Sequence, residues 1–98
     1  MTYHETLIRK AASLARRHGF RTIVSLSKSS DSVYLFIGHP SPQGGFATIA
    51  TLRVAGHCRP GWFCGGWQGD GRTYFDLRPR TKAHDRARVD RFIYRFAQ

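Results

Sequence analysis

A histidine and two cysteines in the middle of the chain are the first candidates for chemistry. His57 and Cys58 are adjacent, and Cys64 follows them. Imidazole and thiolate bind zinc, but a structural zinc site usually has two close ligand pairs, and no second pair follows here. His39 or His84 would have to complete the site from elsewhere in the fold. We therefore expect two reduced thiols and no metal.

The same region contains the residue types that cleave RNA. His57 would act as the general acid or base and Arg59 as the phosphate clamp, as in small basic α+β toxins. A nucleophilic Cys58 is disfavoured, because adjacent side chains on an extended segment point to opposite faces. The ten glycines match no nucleotide-binding loop. We expect a protein without catalysis or cofactor and keep a ribonuclease toxin as an alternative.

The net charge indicates the kind of partner. The 98 residues include 16 Lys and Arg against 6 Asp and Glu, a formal charge of +10. A charge this positive draws phosphate-rich or acidic surfaces. Thirteen of the cations are arginine, which binds phosphate with two parallel hydrogen bonds. A genome rich in G and C would produce the same arginine bias. The length indicates a single domain spanning residues 1–98.

The charge is concentrated at the two ends of the chain. Residues 1–27 have five basic and one acidic side chain, 28–71 have three and two, and 72–98 have eight and three. We therefore place the binding residues in the terminal segments, with two tryptophans of the central loop as secondary anchors. The predicted nucleic-acid or partner-binding residues are Arg9, Arg16, Arg17, Lys82, Arg88, Arg91 and Arg95, with Trp62 and Trp67.

Both terminal segments contain residues that are typical of helix ends. Thr2 and Glu5 form a capping box, and Gly19 is typical of a helix end. Thr81 is the predicted N-cap of the closing helix, with Asp85 near its positive end. Each helix has an apolar stripe with basic residues beside it, and Arg88, Arg91 and Arg95 form a ridge. The stripes are Leu7, Ile8, Ala11, Leu14, Ala15 and His18 in the first helix, and Val89, Phe92, Ile93 and Phe96 in the second.

The central segment predicts strands. Residues 20–27 and 32–38 indicate a hairpin, 46–54 a third strand and 72–78 a last one after a turn at 69–71. The two prolines and two glycines of 39–45 argue against strand there. The sequence thus predicts an α+β fold with N- and C-terminal helices. Its sheet would be antiparallel, with four or five strands in the order α-β-β-β-(β)-β-α.

The second strand is apolar on both faces. Val33, Leu35 and Ile37 alternate with Tyr34 and Phe36. A sheet with one solvated face should alternate apolar with polar residues, so a loop, a partner or a second copy must cover the other face. Trp62, Phe63 and Trp67 would either provide this cover or be exposed binding anchors. A homodimer through this face is a further alternative.

The order of the elements resembles that of the double-stranded-RNA-binding domain. Arg80, Thr81 and Lys82 fall where that family has basic residues at the start of its last helix. The resemblance implies two helices on one face of a three-stranded sheet and recognition through shape and phosphates. The lysine-rich motif of the family is absent, and a strand and a Gly/Trp loop are added, so no residue roles are carried over.

We expect a small, basic, non-catalytic protein that contacts nucleic acid or a nucleic-acid-handling complex through its arginine-rich helices. An acidic protein surface is another partner class. The first alternative is an inhibitor encoded by a phage or other mobile element, of the anti-CRISPR kind, that occupies a protein surface of a host defence complex. The N-terminus lacks a signal peptide, no apolar run reaches membrane-spanning length, and cysteines are few. The expected location is cytoplasmic, away from membranes.

Overall fold

Along the chain, five strands lie between two helices in the computed structural model, which describes residues 2–27, 32–56, 66–68 and 74–97. This order confirms an α+β fold with helices at both ends. The elements are α1 (Tyr3–Arg17), β1 (Arg21–Leu26), β2 (Val33–Pro40), β3 (Phe46–Val54), β4 (Gly66–Gln68), β5 (Tyr74–Leu77) and α2 (Lys82–Ala97).

The sheet has the strand order β1-β2-β3-β5-β4 and is mixed. β1, β2 and β3 form the predicted antiparallel meander. β5 then pairs parallel to β3, and the short β4 pairs antiparallel to β5. The long antiparallel part therefore has three strands. The expectation that four or five strands would form one antiparallel sheet is wrong, because β5 joins β3 in parallel. A parallel pair needs a long crossover, and residues 55–73 provide the length for it.

The end of β2 corrects a second prediction. The strand continues through His39 and Pro40, which pair with Ala47 and Phe46 of β3. Pairing with β1 has already ended at Gly38. Because no strand within the described residues pairs with Pro40 on the β1 side, its missing N–H removes no ladder hydrogen bond there.

A β-bulge lies in the middle of the β2–β3 pair. The register shifts between Ile37 and Gly38, which face Ala50 and Thr48, so that Ile49 is the extra residue. A Cβ atom at position 38 would lie 1.9 Å from the carbonyl oxygen of Ala47. Glycine is therefore required at this position for the strands to approach as closely as they do.

The core lies between one face of the sheet and both helices. Alternate residues of β2, β3 and β5 are aligned across the sheet on this face, and they pack with the apolar stripes of α1 and α2. The predicted stripes are confirmed at most described positions, but His18 is exposed, with its ring centre 5.4 Å from that of Tyr94. The side chain of Phe96 lies outside the described residues. The buried core residues are Leu7, Ile8, Ala11, Ala12, Ala15, Val33, Leu35, Ile37, Ala50, Leu52, Val54, Phe75, Leu77, Val89, Phe92 and Ile93.

Candidate nucleic-acid interface

The two helices lie side by side on the sheet and leave a groove between them, which we call the helix groove. Its first part, the apolar cleft, has a volume of about 330 Å³ and lies between the N-terminal parts of the helices. Its second part, the polar cleft, has a volume of about 460 Å³ and continues toward their C-terminal ends. The apolar cleft is lined by Tyr3, Thr6, Leu7, Lys10, Lys82, Ala83 and Arg86, and the polar cleft by Lys10, Ser13, Leu14, Arg17, Arg86, Asp90 and Tyr94.

Positive charge dominates the helix groove. Lys10 and Arg86 line both clefts, Lys82 lines the apolar cleft and Arg17 the polar cleft. Asp90 is the acidic residue of the lining, and its carboxylate lies 3.8 Å from the guanidinium of Arg86. Both side chains are about half exposed, so water screens this pair and it contributes little to stability. Among the described residues, the groove lining has four cations for one carboxylate and is suited to an anionic ligand.

A buried carboxylate holds the two sides of the groove together. Asp85 is fully buried and accepts a hydrogen bond of 2.7 Å from the Tyr3 hydroxyl of α1. Its other oxygen accepts a bond of 2.8 Å from the backbone N–H of Arg80. The sequence predicted that Asp85 would act on the helix dipole, whereas the structure gives it these two specific partners. The hydrogen bond to Asp85 therefore fixes the position of the Tyr3 ring in the apolar cleft.

The same contact changes the ionisation of Tyr3. Burial raises the pKa of its hydroxyl to about 12, and the hydrogen bond to Asp85 and the negative charge of that carboxylate act in the same direction. A phenolate next to a buried carboxylate would place two negative charges in contact. Tyr3 thus stays neutral and continues to donate its proton to Asp85 at all physiological pH values.

The helix caps position the basic residues of the groove. The Thr2 hydroxyl accepts a hydrogen bond of 3.2 Å from the N–H of Glu5, which confirms the predicted N-cap of α1. The Thr81 hydroxyl accepts one of 3.3 Å from the N–H of His84, as predicted for α2. Gly19 adopts φ +90° after α1. These caps fix where each helix begins, and with it which cations face the groove.

The predicted arginine ridge of α2 faces away from the helix groove. Arg88, Arg91 and Arg95 share one side of the helix, opposite the side with Arg86 and Asp90. The Arg88 guanidinium carbon lies 5.4 Å from the centre of the Phe75 ring, a cation–π distance. Burial lowers the pKa of Arg88, and the charges of Arg80 and Arg91 lower it further, against the opposing effect of Asp85.

The predicted residues of α1 are also divided between two surfaces. Arg17 lies in the helix groove, whereas Arg9 and Arg16 lie on the opposite, outer flank of the helix. Arg16 donates hydrogen bonds of 3.0 Å to the Thr22 hydroxyl of β1 and 3.2 Å to the Ser13 hydroxyl. The predicted helical cations therefore lie on three surfaces, and among these described residues Arg17 and Lys82 lie in the groove.

Two groove cations, Lys10 and Arg86, were missing from the predicted site. Both are exposed and line both clefts. Lys10 and Arg17 are seven residues apart, and Lys82, Arg86 and Asp90 follow each other at intervals of four, so each set lies along one side of its helix. This spacing was the sequence signal for the groove cations. Its use would have required knowing which sides of α1 and α2 face each other.

The face of the sheet away from the helices is partly aromatic. Tyr34 and Phe36 are half-buried there, with ring centres 6.1 Å apart and nearly parallel planes. Ile23, paired with Phe36, is 45% exposed. Arg53, paired with Tyr34, is buried and donates a hydrogen bond of 2.9 Å to the Ser32 hydroxyl. The prediction that strand two has a second apolar face is confirmed, and this face is only partly covered.

Most of the residues first considered for chemistry lie outside the described residues. They are His57, Cys58, Arg59, Trp62, Phe63 and Cys64. Trp67 lies in β4, where it pairs with Phe75, and the turn at 69–71 is again outside. Within residues 2–27, 32–56, 66–68 and 74–97, no group of three or more His, Cys, Asp or Glu is arranged to hold a metal ion.

Comparison with known proteins found no match, whether among family models, curated proteins or solved structures. The likeness to the double-stranded-RNA-binding domain thus remains one of element order. In the described part of the chain, neither helix has the length and apolar character needed to cross a membrane.

Proposed function

We propose that this protein is a non-catalytic binding protein that contacts nucleic acid through its basic helices, with the helix groove as the principal contact surface. The observation that carries the proposal is the groove lining, in which Lys10, Arg17, Lys82 and Arg86 converge from two helices. Cations that line a concave surface attract a phosphate chain more strongly than cations spread over a convex one. The arginines on the outer flanks add to the long-range attraction.

The fixed geometry of the groove supports the proposal. The hydrogen bond from Tyr3 of α1 to Asp85 of α2 ties the two helices together, and the bond from the Arg80 N–H holds the Asp85 carboxylate in place. The cations of both helices are therefore presented together before a ligand binds, and little conformational entropy is lost in bringing them together. Nucleic acid in a nucleoprotein complex offers the same phosphates, so this surface is suited to contact there as well.

Titration with labelled nucleic acid tests the proposal. Double-stranded DNA, single-stranded DNA and RNA are each titrated with the protein at two salt concentrations, and the affinities are compared. We expect binding at low salt that weakens as salt rises, because bound phosphates release counterions. Absence of binding to all three at low salt would contradict the proposal.

A pair of matched double variants locates the contact. Lys10→Ala with Arg17→Ala removes two cations from the groove side of α1, and Arg9→Ala with Arg16→Ala removes two from its outer flank. Both change the net charge by the same amount on the same helix. We expect the groove variant to bind roughly tenfold more weakly than the flank variant. Equal losses in the two variants would mean that charge acts without regard to the groove.

An inhibitor that occupies a protein surface is the competing function, and a different surface favours it. The stacked Tyr34 and Phe36 with the exposed Ile23 form an apolar patch on the sheet face opposite the helices. Apolar patches of this kind are typical of contacts with protein. Weak, salt-insensitive binding to free DNA and RNA, together with tight binding to a nucleoprotein complex, would support the inhibitor over the groove proposal.

A further inference from the structure

The helix groove combines two kinds of surface in a fixed order. At one end, Tyr3, Leu7 and Ala83 form a largely apolar lining. Lys10 and Arg86 stand at the boundary, and the polar cleft with Arg17 follows. An anion alone would need only the cations. The order matches a ligand that carries a flat apolar group directly beside a phosphate.

We infer that the apolar cleft receives an unpaired base of a single-stranded nucleic acid, while Lys10 and Arg86 hold the adjacent phosphate. The inference deepens the proposed function and rests on it. The bases of a duplex are stacked and paired inside the helix, so a duplex would meet the cations and leave the apolar cleft empty. A single strand offers both an exposed base and its phosphate at the distance of one nucleotide.

The volume and the lining of the cleft are consistent with this ligand. A volume of about 330 Å³ lies at the lower end of the range for small-ligand pockets. The ring of Tyr3 lines the cleft, and its hydroxyl is tied to the buried Asp85. A base therefore meets an aromatic side chain that is already ordered, so it loses less entropy on contact than it would against a mobile ring.

The charges of the groove lining decide against an uncharged or cationic ligand. Asp90 faces the polar cleft and pairs with Arg86, but the described residues that line the apolar cleft include Lys10, Lys82 and Arg86 and no carboxylate. An apolar peptide would supply no counter-charge to Lys10 and Lys82, and Arg86 would keep only the screened pair with Asp90. The base–phosphate unit of a single strand satisfies both the apolar and the cationic part of the lining.

The test compares two single strands that differ only in their bases. The first is an oligothymidylate, and the second has the same backbone with abasic sites at most positions, so their phosphate charges are equal. We expect the wild-type protein to bind the strand with bases roughly tenfold more tightly. Equal affinity for the two strands would overturn the inference and leave the proposed function in place. Binding of neither strand, and of no duplex, would reject both.

A cleft-filling variant tests whether the base binds in the apolar cleft. Ala83→Phe puts a large side chain into the apolar cleft without a change of charge, and His84→Phe places the same side chain on the exposed side of α2 that faces away from the groove. We expect Ala83→Phe to bind both strands with the affinity of the abasic one, and His84→Phe to behave as wild type. Circular dichroism checks that both variants fold. A folded Ala83→Phe protein that still prefers the strand with bases would overturn the placement.

Discussion

At the scale of single residues, Asp85 is a buried polar residue that joins α1 to the start of α2. Its fully buried carboxylate is held by one hydrogen bond from α1 and one from the backbone before α2. A buried charge that loses a partner pays its full desolvation cost, so each of these bonds matters more than one at the surface. The position of α1 against α2, and with it the helix groove, depends on this residue.

Removal of the Tyr3 hydroxyl tests that role. We expect Tyr3→Phe to lower the free energy of unfolding by about 1–3 kcal/mol, because the Asp85 carboxylate is left with one partner fewer. Urea unfolding followed by circular dichroism measures the change. Tyr94→Phe is the control, since Tyr94 is 47% exposed and should cost less than about 0.5 kcal/mol. Equal stability of the two variants would show that the Tyr3–Asp85 bond contributes nothing.

The raised pKa of Tyr3 predicts that the difference in stability between wild type and Tyr3→Phe depends on pH. The hydroxyl holds its proton up to a pKa of about 12 in the folded protein, against the ordinary value of 10.0 in the unfolded chain. Above pH 10 the unfolded chain binds fewer protons than the folded one, so stability falls as pH rises. We expect the advantage of wild type over Tyr3→Phe to be constant below pH 10 and to shrink between pH 10 and 12.

The pairwise comparison isolates Tyr3, because every other side chain is the same in both proteins. Urea unfolding at pH 8, 10 and 11 is sufficient to follow the trend. An advantage that grows with pH would mean that the neutral hydroxyl is not the form that the fold stabilises.

At the scale of the elements, the bulge between β2 and β3 determines how the sheet is aligned. The extra residue at Ile49 reverses the alternation of β3, so that the strand meets β2 in one register before the bulge and in another after it. The core residues Ile37 and Ala50 lie on one side of this point. Gly38 allows the close approach of the Ala47 carbonyl that the bulge requires.

We expect Gly38→Ala to lower the free energy of unfolding by at least about 1–3 kcal/mol, because the new Cβ would overlap the Ala47 carbonyl oxygen and force the strands apart. Gly19→Ala is the comparison. Its Cβ would meet no atom within 4 Å, so only the backbone strain at φ +90° remains, about 1–2 kcal/mol. Thermal unfolding of the two proteins measures the difference. A Gly38→Ala protein as stable as wild type would contradict the bulge geometry.

The elements also show what could be predicted from the sequence. Thr2, Gly19 and Thr81 are local signals, and they identified both helices because a cap depends only on its own few residues. The bounds of β3 were predicted as observed. The parallel pairing of β5 with β3 could not be predicted, because it depends on the path of the whole segment between them.

For the candidate site, the sequence predicts that the helices are basic but not which basic residues lie together. The basic character of both helices follows from composition and periodicity. Which cations share a surface depends on how α1 is rotated against α2, and this rotation is set by long-range packing of residues such as Ile8, Ala15 and Ile93. Arg9 and Arg88 were therefore included although they lie outside the groove, and Lys10 and Arg86 were left out.

At the scale of the whole molecule, the +10 charge and the groove make separable contributions to binding. The net charge acts at a distance and raises the rate of encounter with any polyanion. The groove cations act at contact, where each neutralised phosphate adds a fixed amount to the salt dependence. Measured affinities at several salt concentrations distinguish these two contributions.

We expect Lys10→Ala with Arg17→Ala to reduce the slope of log affinity against log salt for single-stranded DNA by roughly 1.4, which corresponds to two lost phosphate contacts. The flank variant, Arg9→Ala with Arg16→Ala, should keep a slope closer to that of wild type, because its side chains do not line the groove. Affinities from fluorescence anisotropy between 50 and 200 mM salt give the slopes. Identical slopes for both variants would contradict the assignment of these contacts.

The hydrogen bond between Tyr3 and Asp85 has a consequence for the order of folding. It joins residues 82 positions apart in the sequence. During synthesis, α1 emerges long before α2, and a contact of such long range forms late because the loop between its ends must close first. The apolar stripe of α1 can pack on β1 and β2 before α2 is made, but a chain that stops before Lys82 lacks one side of the groove and the Asp85 bond that holds the Tyr3 ring. Binding in the groove therefore requires the complete fold.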